Sequence, residues 1–186
     1  MTTTLYTTAL PRTFVADPDN VDLVHVTTMG LYRDADLPGE PGARRAGANI
    51  LWASDDDKII VRADLPATNV PAGGRTWEIV YDPQQGQRVG FKTTVDAVAR
   101  VRGKDVPVGD AGSWFLRKVE GILTDVDIQD IQFRNARRRG GSLTLTTITG
   151  DATIADPDAV EKLLREGLGR SKAFGCGFFH VWSPGS

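Results

Sequence analysis

Asp156-Pro157-Asp158-Ala159-Val160-Glu161-Lys162-Leu163-Leu164-Arg165-Glu166 runs on into Gly167-Leu168-Gly169-Arg170-Ser171-Lys172-Ala173-Phe174-Gly175-Cys176-Gly177 and then Phe178-Phe179-His180-Val181-Trp182. This reads as a helix, a glycine-rich loop and an apolar strand in succession. Asp156 is an N-cap, Pro157 fills the first helical position, and Val160, Leu163, Leu164 and Gly167 keep 3-and-4 spacing. Four glycines within residues 167–177 allow positive φ and close approach of a ligand to the main chain. Successive N–H groups in such a loop form a concave anion site, to which Arg170 and Lys172 add full charges. The same residues also fit a plain C′ glycine at Gly167 and turn punctuation before the strand. A Walker-type loop is excluded because no G-x-x-x-x-G-K-[ST] follows a strand here, and a dinucleotide fingerprint because the helix precedes the glycines.

Outward from this stretch, the second half repeats a simple order. Val89, Phe91, Thr93 and Val95 alternate with Arg88 and Lys92 as a strand. Residues 103–109 read as a loop and 113–119 as a short helix. Strands over residues 126–133 and 143–149 flank a turn, 134–141, that holds Arg134, Arg137, Arg138 and Arg139. In the first half a strand over residues 3–10 leads to a helix through about Tyr32, with Asp17 as N-cap and Pro18 at the first helical position. Residues 33–47, which include Arg44-Arg45, read as a long mobile loop. Residues 50–53 and 58–65 form a hairpin, 66–74 a further loop, and Trp77, Ile79 and Tyr81 mark a strand. Each half is therefore strand, helix, two strands, a second helix or its remnant, and strand. That order predicts an α+β protein of tandem ferredoxin-like (RRM-like) domains, with antiparallel sheets and helices on one face. The linker 82–87 divides them into residues 1–84 and 85–186.

At 186 residues the chain can bury a real core. No apolar run approaches the ~20 residues needed to cross a bilayer, no secretory signal opens the chain, and the single Cys176 excludes an internal disulfide. A cytoplasmic protein without membrane contact is expected. The formal net charge of −2 argues against indiscriminate nucleic-acid binding. The charges are unevenly spread, however: aspartates crowd the first half and arginines the second. A basic face on an acidic body suits one selected RNA rather than free DNA.

The loop pattern G-[LIV]-G-x-x-K-[AS]-[FM]-G-[CL]-G, unbroken from Gly167 to Gly177 and followed by Phe178-Phe179, resembles the C-terminal loop of the CasE-type CRISPR repeat endoribonucleases, the crRNA-processing subunits of type I-E Cascade. Weaker segments agree: Gly90-Phe91-Lys92, Gly103-Lys104-Asp105-Val106-Pro107 and Trp114-Phe115-Leu116-Arg117-Lys118 are similar to the family's F-x-[LV], G-K-x-[VI]-P and W-L-x-[RK]-K run. The resemblance covers the second half firmly and the first loosely. Where the family has Asn-Pro after that phenylalanine this chain has Asp96-Ala97, which reads as drift in a loop.

The resemblance implies cleavage of CRISPR precursor RNA at the base of the repeat stem-loop, without metal or cofactor, to a 2′,3′-cyclic phosphate and a 5′-hydroxyl. It also implies that the protein stays on the crRNA 3′ handle among other Cascade subunits. Leu23-Val24-His25-Val26-Thr27-Thr28-Met29-Gly30-Leu31-Tyr32 is similar to the family's L-H-x-x-[LV]-x-x-L-[FY], which makes His25 the candidate acid–base group. Some relatives carry tyrosine three residues earlier; Asp22 stands there and would favour the protonated imidazole. Lys172 and Arg170 are expected to stabilise the scissile phosphate, with Gly167, Gly169, Ser171, Gly175 and Gly177 shaping the RNA-binding loop. Arg134, Arg137, Arg138 and Arg139 are expected to grip the stem at its groove. His180 alternates with Phe178 and Trp182 on the last strand and reads as structural. A non-catalytic RNA-binding subunit, with His25 merely packed, and a ferredoxin-like protein with a phosphate loop stand as the alternatives.

Overall fold

The computed structural model describes residues 2–40, 43–55, 57–101 and 104–184. The first sheet is built from β1 (Thr3–Pro11), β2 (Leu51–Ser54), β3 (Lys58–Ala63) and β4 (Arg75–Tyr81), in the order β2-β3-β1-β4 and antiparallel throughout. The helix α1 (Val21–Met29) and a single helical turn, α2 (Arg44–Gly47), lie between β1 and β2. The second sheet contains β5 (Arg88–Val95), β8 (Leu123–Arg138), β9 (Gly141–Ile154) and β10 (Phe179–Trp182), in the order β10-β5-β9-β8. A small hairpin of β6 (Val98–Val101) and β7 (Lys104–Pro107) is inserted after β5, followed by α3 (Ala111–Lys118); α4 (Pro157–Glu166) precedes the glycine loop. In both sheets the first strand of the half lies between its third and fourth, which is the ferredoxin-like order. The fold class expected from the sequence is the fold observed. Among the described residues no helix is long and apolar enough to cross a membrane.

Alternation builds the second core as expected. Val89, Phe91 and Val95 of β5 are buried, Phe91 stacks on Phe115 of α3 at 5.1 Å and on Phe179 of β10 at 6.0 Å, and Lys92 points the other way to pair with Asp55 at 2.6 Å. Burying each such side chain contributes about 1.5–3 kcal/mol. The other core gathers Val21 and Val24 of α1, Trp52, Ile59 and Val61 of the first sheet, and Cys176. The two cores exchange residues across the linker. Leu5 belongs to the second, while Ala136, Leu143 and Leu145 at the far end of the β8–β9 hairpin belong to the first.

Several local expectations are corrected. Asn20, not Asp17, caps α1: its side chain accepts from the Asp22 and Leu23 amides at 3.2 and 3.5 Å, while Asp17 is drawn off by Arg137 at 2.8 Å. The helix stops at Met29, because Gly30 ends it and Leu31 and Tyr32 turn into the core. Within residues 33–47, Arg44–Gly47 is helical rather than loop; Pro41 and Gly42 lie outside the described residues. The expected loop 103–109 is the strand β7 over Lys104–Pro107, with Gly103 outside the described residues. Residues 64–74 hold no helix, in line with the expected loop and helix remnant, so the first half keeps only one of the two ferredoxin helices at full length. The arginine turn is much tighter than expected, since β8 runs to Arg138 and β9 begins at Gly141, leaving only Arg139 and Gly140 between them. Arg134, Arg137 and Arg138 are thus strand residues. Gly140 supplies the positive φ of +80° that such a short connection requires.

Candidate active site

His25 is half-buried on α1, between the core face of Val21, Val24 and Thr28 and the exposed Val26. Its Nδ1 is buried with no hydrogen-bond partner. Burial lowers the imidazole pKa below the usual histidine value; the charge of Arg45 lowers it too, against an upward pull from Asp22. Asp22 does not bond the ring. Its carboxylate accepts from the backbone N–H of Arg139 and so ties α1 to the hairpin tip.

The glycine loop delivers Lys172 to this helix. Residues Lys172–Phe174 form a 3-10 turn between two left-handed residues, Ser171 at φ +58° and Gly175 at φ +78°, and the turn packs on both α1 and β2. Trp52 Nε1 donates to the Ala173 carbonyl at 3.1 Å, pinning the turn to β2. Burial lowers the Lys172 pKa, with Glu166 opposing and Arg45 adding to the fall. The loop is closed further back by the Leu168 amide on the Gly177 carbonyl at 2.9 Å and the Gly177 amide on Thr94 at 2.6 Å.

Three of the four glycines serve this internal packing. A Cβ on Gly175 would lie 2.6 Å from the Trp52 ring, one on Gly177 2.7 Å from the Leu168 carbonyl oxygen, and one on Gly167 2.6 Å from the Gly177 carbonyl oxygen. Only at Gly169 is there ordinary room, with Trp114 at 3.5 Å. Asp96, read from sequence as drift, is a buried clamp: its Oδ2 accepts from Ser171 Oγ at 2.6 Å and from Arg170 Nε at 3.2 Å. Nothing in the sequence near Asp96 marked it, because its partners are some seventy-five residues away.

The arginines of the hairpin divide. Arg134 pairs with Asp19 at 3.1 Å and Arg137 with Asp17 at 2.8 Å, bracing β8 against the segment that leads into α1. The exposed Arg138 lies over the Phe174 ring at 5.8 Å, and the exposed Arg139 closes the turn above α1. Among the described residues neither of these two, nor Lys172 or Arg45, forms an ion pair with a carboxylate. Of these four, Lys172, Arg138 and Arg139 sit on elements packed against α1 or its partner turn, and the charge of Arg45 acts on the His25 imidazole. Arg45 was missed in the sequence because its segment reads as loop. His180 lies elsewhere, beside Lys92 in a cleft of about 800 Å³ between the two sheets, whose lining includes neither His25 nor Lys172.

A family model described as CRISPR associated protein matches residues 15–182. The chain belongs to this family. No match was found among curated proteins. Among solved structures, the chain is similar to a CRISPR endoribonuclease Cse3 bound to 19 nt RNA, at 20% identity and a TM-score of 0.75, covering 96% of this chain and 98% of that one. Cas6e from Escherichia coli str. K-12 is similar at 16% identity and 0.68, covering 97% and 100%. A chain of a CRISPR RNA-guided surveillance complex, pre-nicking, is similar at 18% identity and 0.71, covering 96% and 99%. These likenesses extend over nearly the whole chain.

Proposed function

We propose that this family member is an endoribonuclease that cuts CRISPR precursor RNA at the base of the repeat stem-loop, leaving a 2′,3′-cyclic phosphate and a 5′-hydroxyl. It then stays bound to the crRNA 3′ handle within a Cascade-type complex in the cytoplasm. One observation carries the reading: the turn holding Lys172 packs against the helix holding His25, and the tip of the basic hairpin closes over both. The names of the similar structures, an RNA-bound CRISPR endoribonuclease and an RNA-guided surveillance complex, support the substrate and the partners. Residues 1–84 and 85–186 serve as its two units, since the first sheet spans 3–81 and the second 88–182.

The chemistry follows from the local charges. A half-buried imidazole with a lowered pKa is neutral at pH 7 and can take the proton of the ribose 2′-OH. The 2′-oxygen attacks the phosphorus, negative charge builds on the phosphorane oxygens, and the bond to the 5′-oxygen breaks as that oxygen gains a proton. Lys172 faces this charge, and its lowered pKa suits it to give the leaving oxygen its proton. Arg138 and Arg139 meet the stem, while Arg134, Arg137, Arg170 and Ser171 hold the RNA-binding elements in place and Gly167, Gly169, Gly175 and Gly177 shape the loop.

The test is single-turnover cleavage of the cognate repeat hairpin in EDTA. Wild type should cut it, and His25→Ala should bind it but cut roughly 10²–10⁴-fold more slowly. Binding without cutting by wild type would leave a non-catalytic RNA-binding subunit. Absence of hairpin binding would overturn the RNA reading altogether.

A further inference from the structure

We propose that Arg45 is a third catalytic residue, holding the non-bridging oxygens of the scissile phosphate opposite Lys172. This rests on the endoribonuclease reading above. The two adjacent arginines of α2 are treated differently by the fold. Arg44 pairs with Asp34 at 2.8 Å. Arg45 is half-buried, spends one Nη1 hydrogen on the Ile50 carbonyl at 3.1 Å, and among the described residues forms no ion pair with a carboxylate. A guanidinium drawn partly out of water without a counter-charge is costly to the folded chain; unlike the fully buried Arg62, which is spent on the Phe179 carbonyl, Arg45 keeps an exposed part that an anion can reach. The backbone fixes where that is. The Ile50 amide returns the bond to the Arg45 carbonyl at 2.9 Å, so α2 is locked to the start of β2. Two residues on, Trp52 bonds the carbonyl of Ala173, the neighbour of Lys172. The same turn packs on α1, where the buried Nδ1 of His25 has no partner.

The electrostatics agree with this geometry, since the charge of Arg45 acts on both the His25 imidazole and the Lys172 ammonium. The other charged groups on elements around His25 are Asp22 on its own helix, Lys172 on the loop turn, and Arg138 and Arg139 at the hairpin tip. A planar guanidinium can grip two phosphate oxygens at once, which an ammonium cannot. In the free protein Arg45 helps keep His25 neutral and ready to accept the 2′-OH proton. When the phosphate arrives, it takes up the charge that builds on phosphorus.

The experiment compares wild type, Arg45→Gln, Arg45→Lys and, as control, Arg44→Gln. Three readouts are taken: single-turnover cleavage of the repeat hairpin, Kd for the same hairpin with a 2′-deoxy sugar at the cut, and NMR titration of the His25 ring, with His180→Asn used to assign the two imidazoles. Arg45→Gln should lose on the order of 10²-fold in rate while its Kd rises by less than about tenfold, and its His25 midpoint should move up. Arg45→Lys, which keeps the charge but not the fork, should hold the midpoint and still lose on the order of tenfold in rate; it carries the test if the glutamine variant fails to fold. Arg44→Gln should match wild type in all three. A folded Arg45→Gln with near-wild-type rate, a rate loss fully accounted for by Kd, or an unmoved His25 midpoint would overturn the assignment. Wild type that leaves the hairpin uncut would instead sink the endoribonuclease reading, and the titration would still decide whether Arg45 faces His25.

Discussion

His25 combines two things a general base needs, a ring withdrawn from water and a positive charge beside it, and both lower its pKa. Asp22 works against them without touching the ring, since its carboxylate is occupied by the Arg139 amide. Asp22→Asn keeps an acceptor for that amide and removes the charge. The upward pull on the imidazole then disappears, the pKa falls further, and the acid limb of the pH–rate profile should shift to lower pH; an unmoved limb would show that Asp22 does not act on His25. At this scale the sequence was informative only where a motif carried the residue. His25 and Lys172 were proposed from their surroundings in the chain, whereas Asp96 acts through Ser171 and Arg170, distant in sequence, and Arg45 comes near the loop turn only through the fold, by way of Ile50 and the strand that carries Trp52. Pattern and spacing could not reveal them.

At the scale of elements, the glycine loop is a folded object rather than an open cradle. Its shape depends on Trp52 filling the space beside Gly175 and on Asp96 holding Ser171 and Arg170. Gly175→Ala must meet both the left-handed φ of +78° and a Cβ at 2.6 Å from the Trp52 ring, whereas Gly169→Ala meets only the φ of +76°. The first should cost about 3 kcal/mol, combining overpacking and backbone strain, and the second about 1 kcal/mol. Urea unfolding measures both. Equal losses would mean that Trp52 does not define the loop. The helix α4 was legible to the residue, with Asp156 accepting from the Ala159 amide at 3.1 Å and Pro157 opening the helix. The start of α1 was not, because Asp17, Asp19 and Asn20 all suit a cap and tertiary ion pairs with Arg12, Arg134 and Arg137 decided among them. The extent of β8 was hidden for a similar reason: a run of arginines reads as a solvated turn until their aspartate partners are brought alongside.

For the molecule as a whole, strand order followed from the alternation of strands and helices, but the way the two halves grip one another did not. Ala136, Leu143 and Leu145 reach into the first core and Leu5 into the second. Arg62, buried on β3, donates Nη2 to the Phe179 carbonyl at 2.8 Å and stacks over Phe178 at 4.3 Å. A lone buried arginine in a strand gives no hint in sequence that it joins two sheets. Through these contacts a helix from the opening quarter of the chain and a turn from its last sixteen residues come to pack together. The most direct measurement of that convergence is a double-mutant cycle of His25→Ala and Lys172→Ala on single-turnover cleavage of the repeat hairpin in chelator. Groups that act on one linkage lose their effects together, so the double variant should cleave no more than a few-fold slower than the slower single variant. Two losses that multiply in full, or a Lys172→Ala variant that cuts at the wild-type rate, would contradict a shared site.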